Sequence, residues 1–465
     1  MRHRRSVITS GAALLAITLN LLQPAVADAQ APTLLRYPYL TDLGATYAAV
    51  NFATDTDPPR PTVVWGRAGG RCDQNSALTT ATAITVNNVR EYQFRAQLSG
   101  LSPNTHYCYR LLQAGVDLLG SDRSPVFTSG LAPGAPDGFS FAVLGDWGNN
   151  GGSSDGNNQD QANVMSRIAG SGASFVVSTG DNAYQSGSQT NYGDLVQTGP
   201  DISAVFGPQY WKQVGASIPA FLPMGNHGMT QANAHFANWP EARTTTQSGG
   251  RYQVDSYCCV DGTSAGNYPS VWYAFDHGAA RFYVLETAWP NSNVGTGNLY
   301  KDDYDAHWAP GSPEVNWLSA DMQAHAGVTK FAFFHFPLRS DSNTESSDSF
   351  LQGASSLEGL LALNNVRVVF NGHAHFYERN RTAYPGMTSY VTGGGGGALE
   401  PIGHCSTYDS YAVGWSTRGS SCNAPTPTSA SQVFHFLLVT VANGSVKVTP
   451  TDETGRTFDA QTFPL

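Results

Sequence analysis

The chain has 465 residues, 41% of them hydrophobic and 11% aromatic, enough apolar material for a large core and for two domains. Charged residues make up only 13%, and the formal net charge is -10. That balance argues against a nucleic-acid surface, which needs a basic stripe to displace counterions from phosphates.

The first 29 residues read as a secretory signal peptide, not as part of a fold. "MRHRRSV" is a basic start, "GAALLAITLNLL" is an apolar run too short to span a bilayer, and "AVADA" offers small residues for cleavage near Ala27 or Ala29. The Arg4-Arg5 pair followed by Ser and Val also resembles a twin-arginine signal, which suits a protein exported already folded. The mature protein is therefore expected outside the cytoplasm, secreted or periplasmic. After removal of the signal no apolar run reaches membrane-spanning length.

From Pro32 to about Gly130, short β-rich runs alternate with turn residues: "YAAVNFAT", "TVVWGRA", "EYQFRAQLSGL", "HYCYRLL", "SPVFTSG". Strands at this spacing without helical stretches between them predict a β-sandwich over residues 32–130. Within it Leu101, Pro103, Thr105, Tyr107 and Tyr109 resemble the tyrosine corner of fibronectin type III domains. His106, inside that corner, reads as structural. "GLAPGAPDG" then marks a linker, placed at 131–138.

The pattern changes at Phe139, where a second domain is expected to run from 139 to 465. Apolar runs such as "FSFAVLGD", "SFVVSTGD", "IPAFLPMGNH", "ARFYVLET", "KFAFFHFP" and "VRVVFNGHAH" alternate with helical or loop segments. In "DQANVMSRIAGSG" the spacing places Ala162, Met165, Ile168 and Ala169 on one helical face. The runs "VFHFLLVTV" and "GSVKVTPTD" predict a closing hairpin. The organisation is α/β, in which ligands gather at the carboxyl ends of strands.

Cys72, Cys108, Cys258, Cys259, Cys405 and Cys422 fit an oxidising compartment. Six cysteines allow 15 full pairings and the sequence does not choose among them. A Cys405 bridge to Cys422 would close a Gly/Ser-rich loop, one between Cys72 and Cys108 would join two segments of the first domain, and adjacent Cys258 and Cys259 are hard to bridge. None has the spacing of a zinc ribbon.

Five apolar runs end in residues that can bind a metal. They supply Asp146 in "GDWG", Asp181 and Tyr184 in "GDNAY", Asn226 and His227 in "GNH", His335 in "FFHFP", and His373 and His375 in "GHAH". A carboxylate or imidazole buried at a strand end is costly unless paired or coordinated, and a set of seven or eight converging on one edge would be compensated by two cations. Carboxylates, an amide oxygen and imidazoles suit hard or borderline ions such as iron, zinc or manganese. A two-metal hydrolase requires such mixed ligation.

The ordered set GD, GDxxY, GNH, xxxH and GHxH resembles the metallophosphoesterases, and the tyrosine of "GDNAY" resembles the purple acid phosphatases in particular. "NGHAHFYERN", "YVTGGGGG" and "FDHGAARFYVLET" add to the resemblance, which runs from about residue 32 to the C-terminus. It implies a fibronectin type III-like β-sandwich followed by an α/β metallophosphoesterase domain, a two-sheet αββα sandwich. It further implies trivalent iron held by Asp146, Tyr184 and His375. A divalent zinc, iron or manganese ion would be held by Asn226, His335 and His373, with Asp181 bridging both. His227 would hydrogen-bond the substrate phosphate or protonate the leaving oxygen.

The family usually continues GNH with Glu or Asp, whereas this chain has Gly228, so the residue that would orient His227 is in question. His235 is near enough in sequence to be weighed as a general acid, although a structural role fits it better. His277, His307, His325, His404 and His435 match no ligand position. The expected activity is that of a secreted acid phosphatase acting on small phosphate monoesters by attack of a metal-bound hydroxide. A phosphodiesterase or nucleotidase on the same site, and a non-catalytic metal- or phosphate-binding surface protein, are the alternatives. Substrate choice is expected to lie in loops such as 185–215 and 400–425. The oligomeric state is left open.

Overall fold

The computed structural model describes residues 31–148, 159–196, 205–207, 211–229, 231–240, 253–258, 264–270, 272–288, 308, 310–345, 347, 349–382, 384 and 386–465. For 211, 213, 253–258 and 264–270 it describes only the backbone. The expected signal peptide, His307, and the side chains of Cys258 and Cys259 lie outside the described residues.

Strand Val89–Ser99 shows why the first region is a sandwich. Phe94, Ala96 and Leu98 are fully buried at every second position, while Arg95 and Gln97 face outward. It lies in a four-stranded sheet in the order Leu34–Thr41, Tyr47–Thr54, Val89–Ser99, Thr80–Val86. The opposing sheet runs Asn75–Leu78, Thr62–Arg67, His106–Gln113, Val116–Asp117, with Val126–Thr128 also paired to His106–Gln113. The tyrosine corner is present: the Ser102 N–H donates to the Tyr107 hydroxyl at 2.8 Å. Cys72 is bridged to Cys108, and Cys405 to Cys422.

Two mixed sheets form the centre of the second region. One is ordered Ala220–Phe221, Val176–Ser178, Phe139–Leu144, His435–Ala442, Ser445–Asp452, Gln461–Pro464, so the expected C-terminal hairpin completes it. The other is ordered Tyr273–His277, Ala280–Val284, Thr329–Phe333, Val368–Asn371, Thr388–Thr392, Tyr377–Arg381, Asp409–Trp415, Gly419–Cys422. Phenylalanines from the inner faces hold the sheets together. Phe141 meets Phe175 at 5.3 Å on its own sheet and Phe282 at 5.1 Å and Phe331 at 5.3 Å on the other, the last two edge to face. Burying each such ring contributes roughly 1.5–3 kcal/mol.

Helix Gln159–Ala169 covers the outer face of the first sheet and helices Pro313–Ala324 and Leu357–Leu363 that of the second, giving the αββα order. Ala162, Met165 and Ile168 are buried as their spacing predicts, but Ala169 is exposed. It is the last residue of its helix, and the burial stripe runs through Gln161 and Val164 instead.

Residues 32–465 form one compact unit, and polar contacts join the sandwich to the second region. The Arg36 guanidinium is fully buried and donates to the Gly193 carbonyl at 3.1 Å, to Asn238 Oδ1 at 2.8 Å and to Gln189 Oε1 at 2.9 Å. Tyr39 donates to the Asn238 carbonyl and Tyr109 to the Ala216 carbonyl, both at 2.9 Å. The sandwich thus braces segment 189–193, which follows the "GDNAY" turn in the chain.

Candidate metal centre

The parallel strands of both sheets carry their candidate residues at or just beyond their carboxyl ends. Asp146, Asp181 and His373 have φ of +55°, +48° and +73°, a left-handed backbone that costs a residue with a Cβ about 1 kcal/mol or more and is held only where the surroundings demand it. The neighbouring glycines explain how the segments approach so closely. A Cβ on Gly372 would stand 2.6 Å from Asp146 Oδ2, and one on Gly225 2.0 Å from Asp181 Oδ1.

One group of side chains surrounds Asp146, which is fully buried. The Tyr184 hydroxyl donates to Asp146 Oδ1 at 2.9 Å and lies 3.0 Å from His375 Nε2. His375 Nδ1 donates to the Ala398 carbonyl at 2.8 Å, which turns Nε2 inward to 3.5 Å from Asp146 Oδ1. The His373 N–H donates to Asp146 Oδ2 at 2.9 Å. Burial, with the Asp146 and Asp181 carboxylates, holds the Tyr184 phenol well above its ordinary range. Only a cation at this place would make it a phenolate.

The second group surrounds His335. Its Nδ1 donates to the Thr179 carbonyl at 2.9 Å, and Nε2 faces Asn226 Oδ1 at 2.7 Å and Asp181 Oδ2 at 3.4 Å. Asn226 Nδ2 is buried without a hydrogen-bond partner, so the amide directs its oxygen into the cluster. The His373 ring lies 5.0 Å from that of His335, and its Nε2 is 2.5 Å from Glu345 Oε2. Burial opposes charge on Asp181, but His335 and His227 outweigh it and hold the carboxyl well below its ordinary range. The reciprocal pairing overcomes burial at His335 and raises it to about 9.

The structure therefore brings together Asp146, Tyr184 and His375 on one side and Asn226, His335 and His373 on the other, with Asp181 touching the second group and His227. The donor set fits two cations. It holds two carboxylates, a phenol, an amide oxygen and three imidazoles, and the inward nitrogens of His335 and His375 carry protons that a cation would displace. His227 stands at the edge: its N–H donates to Asp181 Oδ1 at 3.0 Å, its Nδ1 bonds the Gln185 carbonyl, and its ring packs 4.8 Å from that of Tyr184. That carbonyl supplies an orienting partner where Gly228 supplies none.

The other histidines among the described residues have other roles. His277 packs between Phe139 and Phe175 and burial lowers it to about 4. His435 is buried and bonded to Val433 and Thr392. His325 bonds the Asp321 carbonyl, His106 bonds Thr128, His404 is exposed beside Asp341, and His235 is buried in helix Ala232–Asn238. The residue that reasoning from the sequence missed is Glu345. It sits in a Ser-rich loop with no periodicity, and only its contact with His373 marks it.

A calcineurin-like phosphoesterase family model matches residues 139–377, just over half of the chain. The chain belongs to the calcineurin-like phosphoesterases. A model of the purple acid phosphatase N-terminal domain matches residues 37–129, so the chain is a purple acid phosphatase-like metallophosphoesterase, a family whose members are built around a dinuclear metal centre. It is 24% identical over 409 residues to the probable inactive purple acid phosphatase 27 of Arabidopsis thaliana, covering 77% of this chain and 58% of that protein. It is 24% identical over 329 residues to purple acid phosphatase 23 of the same plant, covering 66% and 62%. The chain thus spans about three fifths of the length of these curated relatives. Among solved structures, purple acid phosphatase PPD1 from yellow lupin seeds matches 93% of this chain and 74% of its own, at 18% identity and a TM-score of 0.62. At that identity the likeness speaks for the fold alone. No helix among the described residues is long and apolar enough to cross a membrane.

Proposed function

We propose that the chain is a secreted, dinuclear metal-dependent acid phosphatase that hydrolyses small phosphate monoesters. The observation that carries this reading is the convergence of all seven ligand candidates, from five separate strand ends, on one cluster in which Asp146, Asp181, Tyr184, Asn226 and His335 are buried and His373 and His375 partly so. Asp146, Tyr184 and His375 would hold trivalent iron, Asn226, His335 and His373 a divalent zinc, iron or manganese ion, and Asp181 would bridge them. When bound, such a pair supplies an acidified water and neutralises charge on the phosphoryl oxygens. Asp181 also anchors the His227 backbone, and the Gln185 carbonyl accepts from Nδ1, so Nε2 would accept a proton in the neutral ring and would donate to a phosphate or a leaving oxygen as an imidazolium. The basic, then apolar N-terminus and the Cys72–Cys108 and Cys405–Cys422 bridges support export.

The test is metal analysis of the purified protein together with a substrate panel across pH. Two ions per chain and turnover of monoesters at acid pH are expected, with nitrophenyl phosphate cleaved faster than bis-nitrophenyl phosphate. A preference for the diester would replace this reading with a phosphodiesterase or nucleotidase on the same site. Gly228, together with the inactive label on a relative, favours a second reading, a non-catalytic metal- or phosphate-binding protein. That reading predicts two bound ions and no turnover of any ester.

A further inference from the structure

His373 differs from the other two histidines of the cluster in which nitrogen is occupied. His335 and His375 donate through Nδ1 to main-chain carbonyls, at 2.9 Å to Thr179 and 2.8 Å to Ala398, and present Nε2 to the oxygens around them. In His373 the occupied nitrogen is Nε2, which lies 2.5 Å from Glu345 Oε2. A carboxylate accepts, so Nε2 carries the proton. The lone pair of a neutral His373 ring is therefore on Nδ1.

Glu345 does not reach this place as a loose surface side chain. Ser342 Oγ accepts from the N–H groups of Thr344 at 3.1 Å and Glu345 at 2.9 Å, and donates to Glu400 Oε2 at 2.9 Å. One residue earlier, the Asp341 N–H donates to Glu378 Oε2 at 3.0 Å, and its carbonyl accepts from Gly403 at 2.9 Å. The loop is thus tied to strand Tyr377–Arg381 and to the segment around 400. On the other side, the His373 ring lies 4.3 Å from the Phe336 ring and 5.0 Å from the His335 ring, which limits its rotation.

We infer that Glu345 is a positioning residue, which locks His373 with Nε2–H toward its carboxylate so that Nδ1 is the nitrogen offered to the second cation. This rests on the dinuclear reading above. A carboxylate behind a ligating imidazole fixes the tautomer and raises the basicity of the ring, and loss of such a partner typically weakens metal binding about 10–100-fold. A carbonyl, the partner of His335 and His375, fixes the tautomer without adding charge. The carboxylate belongs to the side of the cluster read as divalent, where the ion brings less charge of its own.

The experiment uses the full-length protein loaded with iron and zinc, in wild-type, Glu345→Ala and Glu345→Gln forms. Zinc and iron retained after dialysis against graded chelator are measured together with the visible absorbance contributed by the tyrosine-bound ion. Glu345→Ala should release zinc at about 10–100-fold lower chelator concentration while iron content and the visible band stay at wild-type values. Glu345→Gln, whose amide oxygen still accepts from Nε2–H, should fall between the two and carries the test should the alanine form fail to fold. Zinc retention equal to wild type in both variants would overturn the assignment, as would parallel loss of zinc and iron, the mark of a merely structural residue. Wild-type protein that retains fewer than two ions before any chelator is added would instead overturn the dinuclear reading.

Discussion

Among the described residues, two groups of buried ionisable side chains resolve the same electrostatic problem in opposite ways. In the metal centre Asp146, Asp181 and His335 bring ligand atoms within 4.8 Å of one another, and so do Asp341, Glu378 and Asp409 in a second group. All six are buried. Around Asp181 the neighbours are imidazoles, which hold the carboxyl ionised. Around Asp341 they are carboxyls: burial and the hydrogen bond and charge of Asp409 push it up to about 7, and burial with the charge of Asp341 pushes Glu378 well above its ordinary range. The exposed His404, 3.4 Å from Asp341, is the one basic group in salt-bridge contact with that cluster among the described residues. Burial makes charge expensive in both places, and the neighbours decide whether the answer is a cation or a proton. The two are joined in sequence, since the loop that carries Asp341 also carries Glu345.

The contrast is tested most severely at Asp181. If it bridges two cations, Asp181→Asn should strip both from the protein and lower turnover by well over about a hundredfold. Retention of full metal content and activity would remove the bridge. Next in size is Tyr184→Phe. A phenolate on trivalent iron absorbs visible light, so iron-loaded wild type should be coloured and the variant bleached, with iron lost or more easily reduced. An active, iron-loaded wild type without a visible band would show that Tyr184 only packs against Asp146.

A smaller, substrate-dependent effect is expected at His227. His227→Ala should slow hydrolysis of alkyl phosphates about 10–100-fold more than that of nitrophenyl phosphate, because only the poor leaving group needs a proton. Equal losses on both would assign His227 to phosphate binding alone.

The smallest effect belongs to the proton-holding cluster. Asp341 titrates higher in the folded chain, at about 7, than when unfolded, so between roughly pH 4 and 7 the folded state binds more protons. Its contribution to stability is complete below the unfolded carboxylate range and is lost as pH rises through 7. Asp341→Asn should flatten the fall in melting temperature across that interval by a few degrees, on the order of 2–4 °C, and leave metal content unchanged. A variant as steep as wild type would place the proton on other groups.

By itself the sequence determined the kinds of strand, the two-region order, the tyrosine corner and the residues at the strand ends. Those features are local: a period of two in burial, a turn after each apolar run, and ligand-type side chains such as Asp146 or His335 where a run stops. It did not choose among disulfide pairings, and its spacing placed Ala169 on a buried face that the end of the helix leaves exposed. Only the tertiary structure decided how the centre is oriented. The carbonyls of Thr179, Ala398 and Gln185 select the histidine tautomers, and main-chain atoms leave no trace in residue identity. Glu345 and Asp341 are likewise ordinary loop residues in the sequence, since charge at a loop position is the default of a solvated surface. The burial of Asp341 and the partners of both come from segments far away in the chain, and proximity between distant segments is what a one-dimensional pattern does not carry.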